Sequence, residues 1–220
     1  MEFTNDIASL AASAGLLLAY HAWLRWRPRQ DRGYTTHAVN ALVRAAWVEE
    51  LMRKRGGILA VQTLRNSIMA AIFLASTAVL LIIGVLTLSE QGDKLRTAWQ
   101  ALDVFGAAST RLWLAKMILL LVDLLVAFFS FTMAIRLFHH VGYMINVPPR
   151  EQPVVMNPAH VIAHLNRAGK FYSIGMRAYY YTAPLLAWLF GPHLMFAATV
   201  ALVVTLYHLD RTPRISDSDS

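Results

Sequence analysis

The stretch IMAAIFLASTAVLLIIGVLTL, from Ile68 to Leu88, decides the fold class. It is 21 residues long and carries no charge. About 20 apolar residues in a helix match the hydrocarbon thickness of a bilayer. Lipid offers no water to the backbone N–H and C=O groups, so such a stretch satisfies them internally, as a helix. Working outward, residues 112–136 and 6–24 repeat the signal. The residues before the 6–24 stretch carry no basic charge, and no convincing cleavage site precedes Arg25. That stretch is therefore expected to be a retained span rather than a removed leader.

Composition agrees. The chain of 220 residues is 57% hydrophobic with mean hydropathy +0.45, above the roughly 45–50% apolar content of soluble domains. It has no cysteine, which excludes disulfides, thiolate nucleophiles and cysteine metal sites. The net charge of +7 would suggest nucleic acid in a soluble protein. In a membrane protein the same excess collects in cytoplasmic loops, so no nucleic-acid partner is expected.

Two further apolar stretches, 172–190 and 193–209, flank Gly191-Pro192. Either they form one helix kinked at Gly-Pro, or Gly191 ends one helix and Pro192 begins the next as a hairpin. Loop charge favours the hairpin. Nine basic residues lie in 25–65, three follow the third span, and Arg211 and Arg214 follow the last. With a hairpin, fourteen basic loop residues share one side against three on the other. The expectation is an all-α polytopic transmembrane helix bundle of four to five spans, with its N-terminus outside and multi-pass in the cytoplasmic (inner) membrane.

The loops have structure of their own. Val39, Leu42, Val43, Ala46, Trp47 and Leu51 follow helical spacing, so 37–55 reads as an amphipathic helix with Thr36 as its N-cap. Asn157-Pro158 opens a second loop helix, 158–170, after an extended linker at 146–158. Residues 1–210 form one bundle domain, and 211–220 a flexible polar tail.

Polar residues gather at the end of the bundle that carries the basic loops. Gln62, Arg65 and Asn66 recur at i, i+3 and i+4 and share a helix face. A polar stripe is costly against lipid, so it is expected to turn inward with Arg136, Arg177 and Tyr180 to form a pocket for an anion. The competing reading is an interfacial belt of aromatic rings and snorkelling arginines. His160 and His164 share a face, with His139 and His140 at similar depth, and imidazoles at that spacing are a metal-ligand arrangement. They form no HExxH motif, so histidines bonded to backbone or lipid are the blander alternative. Asp123 and Lys116 are the charged residues inside the third span. They sit two turns apart and cannot pair, so Asp123 is expected to be protonated and bonded to a Ser or Thr of another span, with a proton carrier as the alternative reading. Ser67, Ala71 and Ala75 make a small-residue face suited to close helix packing.

Several of these segments form recognisable motifs. They are Tyr20-His21-Ala22-Trp23, Arg44-Ala45-Ala46-Trp47-Val48-Glu49 and Ala60-Val61-Gln62-Thr63-Leu64-Arg65-Asn66-Ser67-Ile68-Met69. To these add Phe128-Phe129-Ser130-Phe131 with Arg136, and Gly175-Met176-Arg177-Ala178-Tyr179-Tyr180-Tyr181 with Pro184 and Trp188. Together they resemble the membrane family known as domain of unknown function 599, over nearly the whole chain. The resemblance implies a bacterial-type cytoplasmic-membrane protein and no activity. Three classes of function remain, in this order. The first is an accessory, assembly or self-associating subunit of a membrane complex. The second is a small transporter or lipid- or anion-binding protein using the Arg/Asn/Tyr pocket. The third is a metal- or haem-binding membrane enzyme. No catalytic residue is assigned. The expected partners are membrane lipids and a second copy or a larger membrane complex; no cofactor is fixed by the sequence, a bound phospholipid being one candidate beside the metal or haem of the third class.

Overall fold

The computed structural model describes residues 2–26, 35–54, 57–90, 110–147 and 157–211. Six helices account for nearly all of them: α1 (Glu2–Trp26), α2 (Thr36–Lys54), α3 (Gly57–Glu90), α4 (Thr110–Asn146), α5 (Pro158–Phe190) and α6 (Pro192–Leu209). Most of the linker expected at 146–158, the basic residues Lys94 and Arg96, and the tail beyond Arg211 lie outside the described residues.

Four of these helices, α1, α3, α4 and α6, are long and apolar enough to cross a membrane. The fifth long helix, α5, has 33 residues but carries Arg167, Lys170 and Arg177 in its first two-thirds. It runs the full depth of the bundle. Near its start Val161 and Leu165 pack with Phe138 of α4, and near its end Leu189 packs with Leu120 of α4. In space the order is α3, α4, α5, α6, α1, with α2 laid against α5.

The loop helix and span expected at 158–170 and 172–190 are one continuous helix. Asn157 caps it, its side chain accepting from the His160 N–H at 2.9 Å, and Pro158 occupies the first turn. The helix continues unbroken through residue 171, and the polar residues on either side, Asn166 and Arg177, bond Arg44 of α2 and Asp210 after α6. The α3 and α4 helices also extend past their apolar stretches, starting eleven residues before Ile68 and ending ten beyond Arg136. The α2 cap is displaced by one position. It is Thr35, not Thr36, whose hydroxyl accepts from the Ala38 N–H at 3.3 Å.

Between α5 and α6 the chain turns back as a hairpin. Gly191 has φ 146°, a region that favours glycine, and Pro192 starts α6. The Arg177 and Asp210 side chains on the two arms lie 3.0 Å apart. In a continuous straight helix those residues would be separated by roughly 50 Å.

Packing uses the small residues. On α3, Ala71, Ala75 and Ala78 are buried, and Ala75 meets Ala127 and Phe131 of α4. The small-residue face is thus spent inside the bundle. A Cβ on Gly175 would come within 2.8 Å of the Phe131 ring, so that crossing of α4 and α5 requires glycine. The opposite face of α3 presents Ile72, Phe73, Leu80 and Ile83 outward. In water so large an apolar surface would be a liability; facing acyl chains it is what a span requires. The α2 helix is fixed through Val48 and Leu51, which are buried, while Leu42 and Val43 face away from the bundle.

Candidate functional site

The α2 end of the bundle holds a layered polar network. The carboxylate of Asp210, just past α6, receives hydrogen bonds from Arg177 at 3.0 and 3.1 Å and from the Tyr20 hydroxyl at 2.8 Å. Arg177 also donates to His21 Nδ1 at 3.2 Å. A guanidinium has no acceptor, so Nδ1 must be the bare nitrogen of a neutral ring. The proton then sits on Nε2, which faces the Tyr181 hydroxyl. The start of α2 closes over the same point, the Thr36 N–H donating to the Asp210 carbonyl at 3.1 Å. Arg177 and Asp210, the latter through both its carboxylate and its backbone carbonyl, thereby tie together α1, α2, α5 and the end of α6.

Above this layer lies a cavity of about 770 Å³ walled by α2, α3, α5 and the end of α6. Its polar wall residues include His37, Asn40, Arg44, Asn66, Tyr180 and Arg177. Arg44 is half-buried. Its Nε donates to the Asn166 side-chain oxygen at 2.9 Å, and its buried Nη2 has no hydrogen-bond partner. Among the described residues no carboxylate pairs with it. The guanidinium lies on Gly169, where a Cβ would come within 2.9 Å of Cζ. Burial pulls the Arg44 pKa below its ordinary value. Loss of water, then the charges of Arg44 and Arg177, hold the His37 imidazole below its ordinary value as well. The cavity is thus positive, with one cation lacking a counter-charge.

Below the layer a second cavity of about 540 Å³ lies between α1 and the α4–α5–α6 wall. It is mostly apolar, lined for example by Leu10, Leu17, Val122, Val126 and Met195. Asp123 also lines it and accepts from Thr182 of α5 at 2.9 Å. Arg177 borders both cavities.

The sequence-derived site residues distribute unevenly. Asn66, Arg177 and Tyr180 share the upper cavity, whereas Gln62 and Arg65 are exposed and do not line it. Gln62 and Arg65 lie near the start of α3 at Gly57, on a side of the helix that no other described element covers. Arg136, His139, His140 and His164 border a separate recess, and His160 lies beside His164 with ring centroids 4.4 Å apart. Among the described residues no three His, Asp or Glu side chains converge at metal-binding spacing. Lys116 is buried at the other end of the bundle, 3.3 Å from Asp6.

Arg44, Asp210, His37, Tyr20 and His21 were not among those candidates. For Arg44 a signal existed: it shares a stripe with Val48 and Leu51, at i, i+4 and i+7, on the face that α2 buries. For Asp210 the signal was scarcity, since it is the only carboxylate between Glu151 and Asp217 available to Arg177.

A profile of the family described as "Protein of unknown function, DUF599" matches residues 8–215. No curated protein and no solved structure matches the chain.

Proposed function

The chain belongs to the DUF599 family, and from that premise and the geometry we propose that this multi-pass membrane protein binds a carboxylate- or phosphate-bearing molecule in the cavity beneath α2. One observation carries the reading. Arg44 is a half-buried guanidinium on the wall of a 770 Å³ cavity with only a neutral partner, Asn166. A cation held away from water without a counter-charge is costly, and an oxyanion offsets that cost with charge-assisted hydrogen bonds. Asn40, Asn66 and Tyr180 line the same wall and can complete the recognition. The excess of basic residues in the loops supports an opening on the cytoplasmic side. That Arg177 borders a second, membrane-buried cavity favours a transporter over a static binding protein.

Inorganic phosphate serves as the probe. It is expected to raise the melting temperature of the detergent-purified protein in a concentration-dependent way. Arg44→Gln is expected to weaken that response about tenfold or more, because at least one charge-assisted hydrogen bond is lost. Arg44→Lys should recover it only in part, since lysine keeps the charge without the planar fork. If phosphate, citrate and succinate all leave melting unchanged while a stoichiometric protein partner co-purifies from native membranes, the accessory-subunit reading replaces this one.

A further inference from the structure

We propose that the groove between α4 and α5 at the α2 end is a binding site for one anionic phospholipid, with its phosphate on Arg136 and Arg167 and an acyl chain running along both helices toward the apolar cavity under α1. The site is separate from the Arg44 cavity and does not depend on it. Arg136, His139 and His140 of α4 face His164 and Arg167 of α5 across a recess of about 500 Å³. The His140 and His164 ring centroids are 5.4 Å apart, so the imidazoles straddle the groove. Both arginines are exposed, and among the described residues neither has a carboxylate partner. The floor is apolar: Met133, Leu137 and Phe171 line it, with the Arg167 guanidinium 5.9 Å from the Phe171 ring centre.

Arginines at a membrane edge often do no more than snorkel to water. Two features here call for a bound lipid instead. The first is convergence: cations from two helices meet over one apolar floor, and basic pockets between transmembrane helices recruit phosphate headgroups. The second is what continues from the pocket into the membrane. Val122, Val126, Phe129, Met133, Arg136 and His140 recur at alternating four- and three-residue steps, so they form one stripe. The first four are apolar and 42–60% exposed; the last two are basic. From Arg136 to Val122 the stripe descends roughly 21 Å, more than the roughly 15 Å of hydrocarbon in one leaflet. On α5 the same change runs from Arg167 through Phe171 to Ile174. Ile174, Val126 and Val122 are then wall residues of the apolar cavity. A chain leaving a phosphate at the basic rim therefore meets apolar surface down to that cavity.

The test uses the full chain in nanodiscs of phosphatidylcholine containing a minor fraction of phosphatidylglycerol, with retained lipids counted by native mass spectrometry. One phosphatidylglycerol should stay bound. The double variant Arg136→Gln/Arg167→Gln should lower its retention about 25-fold, since each basic group near an anionic surface contributes a factor of about five. Arg53→Gln, an exposed change on α2, should have no effect. Arg167→Glu alone gives a second reading of the same sign should the double variant fail to fold. Val126→Trp should abolish the preference for long-chain over dihexanoyl phosphatidylglycerol. Retention indifferent to the arginines, or inorganic phosphate competing as well as the lipid does, would overturn the site. A chain-length preference untouched by Val126→Trp would overturn the placement of the chain.

Discussion

Asp6→Ala is expected to destabilise the bundle by about 3–5 kcal/mol, the usual cost of stranding one member of a buried ion pair. The Asp6 and Lys116 side chains are 0% and 5% exposed, with their charges 3.3 Å apart. The Trp188 indole N–H donates to Asp6 at 2.8 Å, and the Lys116 ammonium donates to the Trp188 carbonyl at 2.9 Å. That carbonyl would ordinarily accept from the N–H four residues on, but residue 192 is proline and has none. The Gly191 N–H donates to the same carbonyl at 3.3 Å, and Lys116 adds a second, charged donor to it at the α5–α6 turn. Removing Asp6 leaves the ammonium buried without its counter-charge and frees the indole. The check is the denaturation midpoint in mild detergent, read by tryptophan fluorescence. Lys116→Met added to Asp6→Ala should restore most of the loss, because the charge is then gone rather than orphaned. A cost below about 1 kcal/mol, typical of exposed pairs, would mean that Lys116 reaches water and the cluster is not a lock.

Asp210→Ala should cost about 2–3 kcal/mol, less than a fully buried pair because Arg177 and Asp210 are 28% and 20% exposed. It removes the acceptor of Tyr20 as well as of Arg177, so α1 should loosen along with α5 and α6. A double-mutant cycle with Arg177→Met measures the coupling, expected at about 1–3 kcal/mol for residues in one network. Additive single effects would show that the two residues act separately and that the layer between the cavities is not held by their pair.

Much of this fold was legible because lipid imposes a simple rule. The apolar stretches at 6–24, 68–88 and 112–136 sit inside α1, α3 and α4, and the charge count chose the hairpin at Gly191-Pro192 that the Arg177–Asp210 pair requires. The α5 helix was read as two pieces for an identifiable reason. Asn166, Lys170 and Arg177 lower its apolarity in the middle, and hydropathy does not reveal that Asn166 faces Arg44 or that Arg177 faces Asp210. The stripe rule found the shared face of Gln62, Arg65 and Asn66, but shared face is not depth. Only Asn66 lines the cavity, while Gln62 and Arg65 point away from it. The α2 helix was legible only in part. Its apolar periodicity included Leu51, which is buried, and Trp47, which packs on the core, but also Leu42 and Val43, which face away; Val48 is buried beside Leu51, and Arg44 goes in with them. Which face of an amphipathic helix docks depends on the partner surface, here α5 with its bare Gly169.

The central proposal is that the chain crosses the membrane five times, with α2, the upper cavity and the end of α6 together on the cytoplasmic side. The natural sequence has no cysteine, so single cysteines report accessibility without background. His193→Cys marks the α5–α6 turn, Glu50→Cys marks α2, and Arg211→Cys marks the end of α6. With a membrane-impermeant maleimide on intact cells, the account predicts labelling at 193 alone, and at 50 and 211 only after permeabilisation. Labelling of 211 from outside, or of 50 and 193 from the same side, would contradict it.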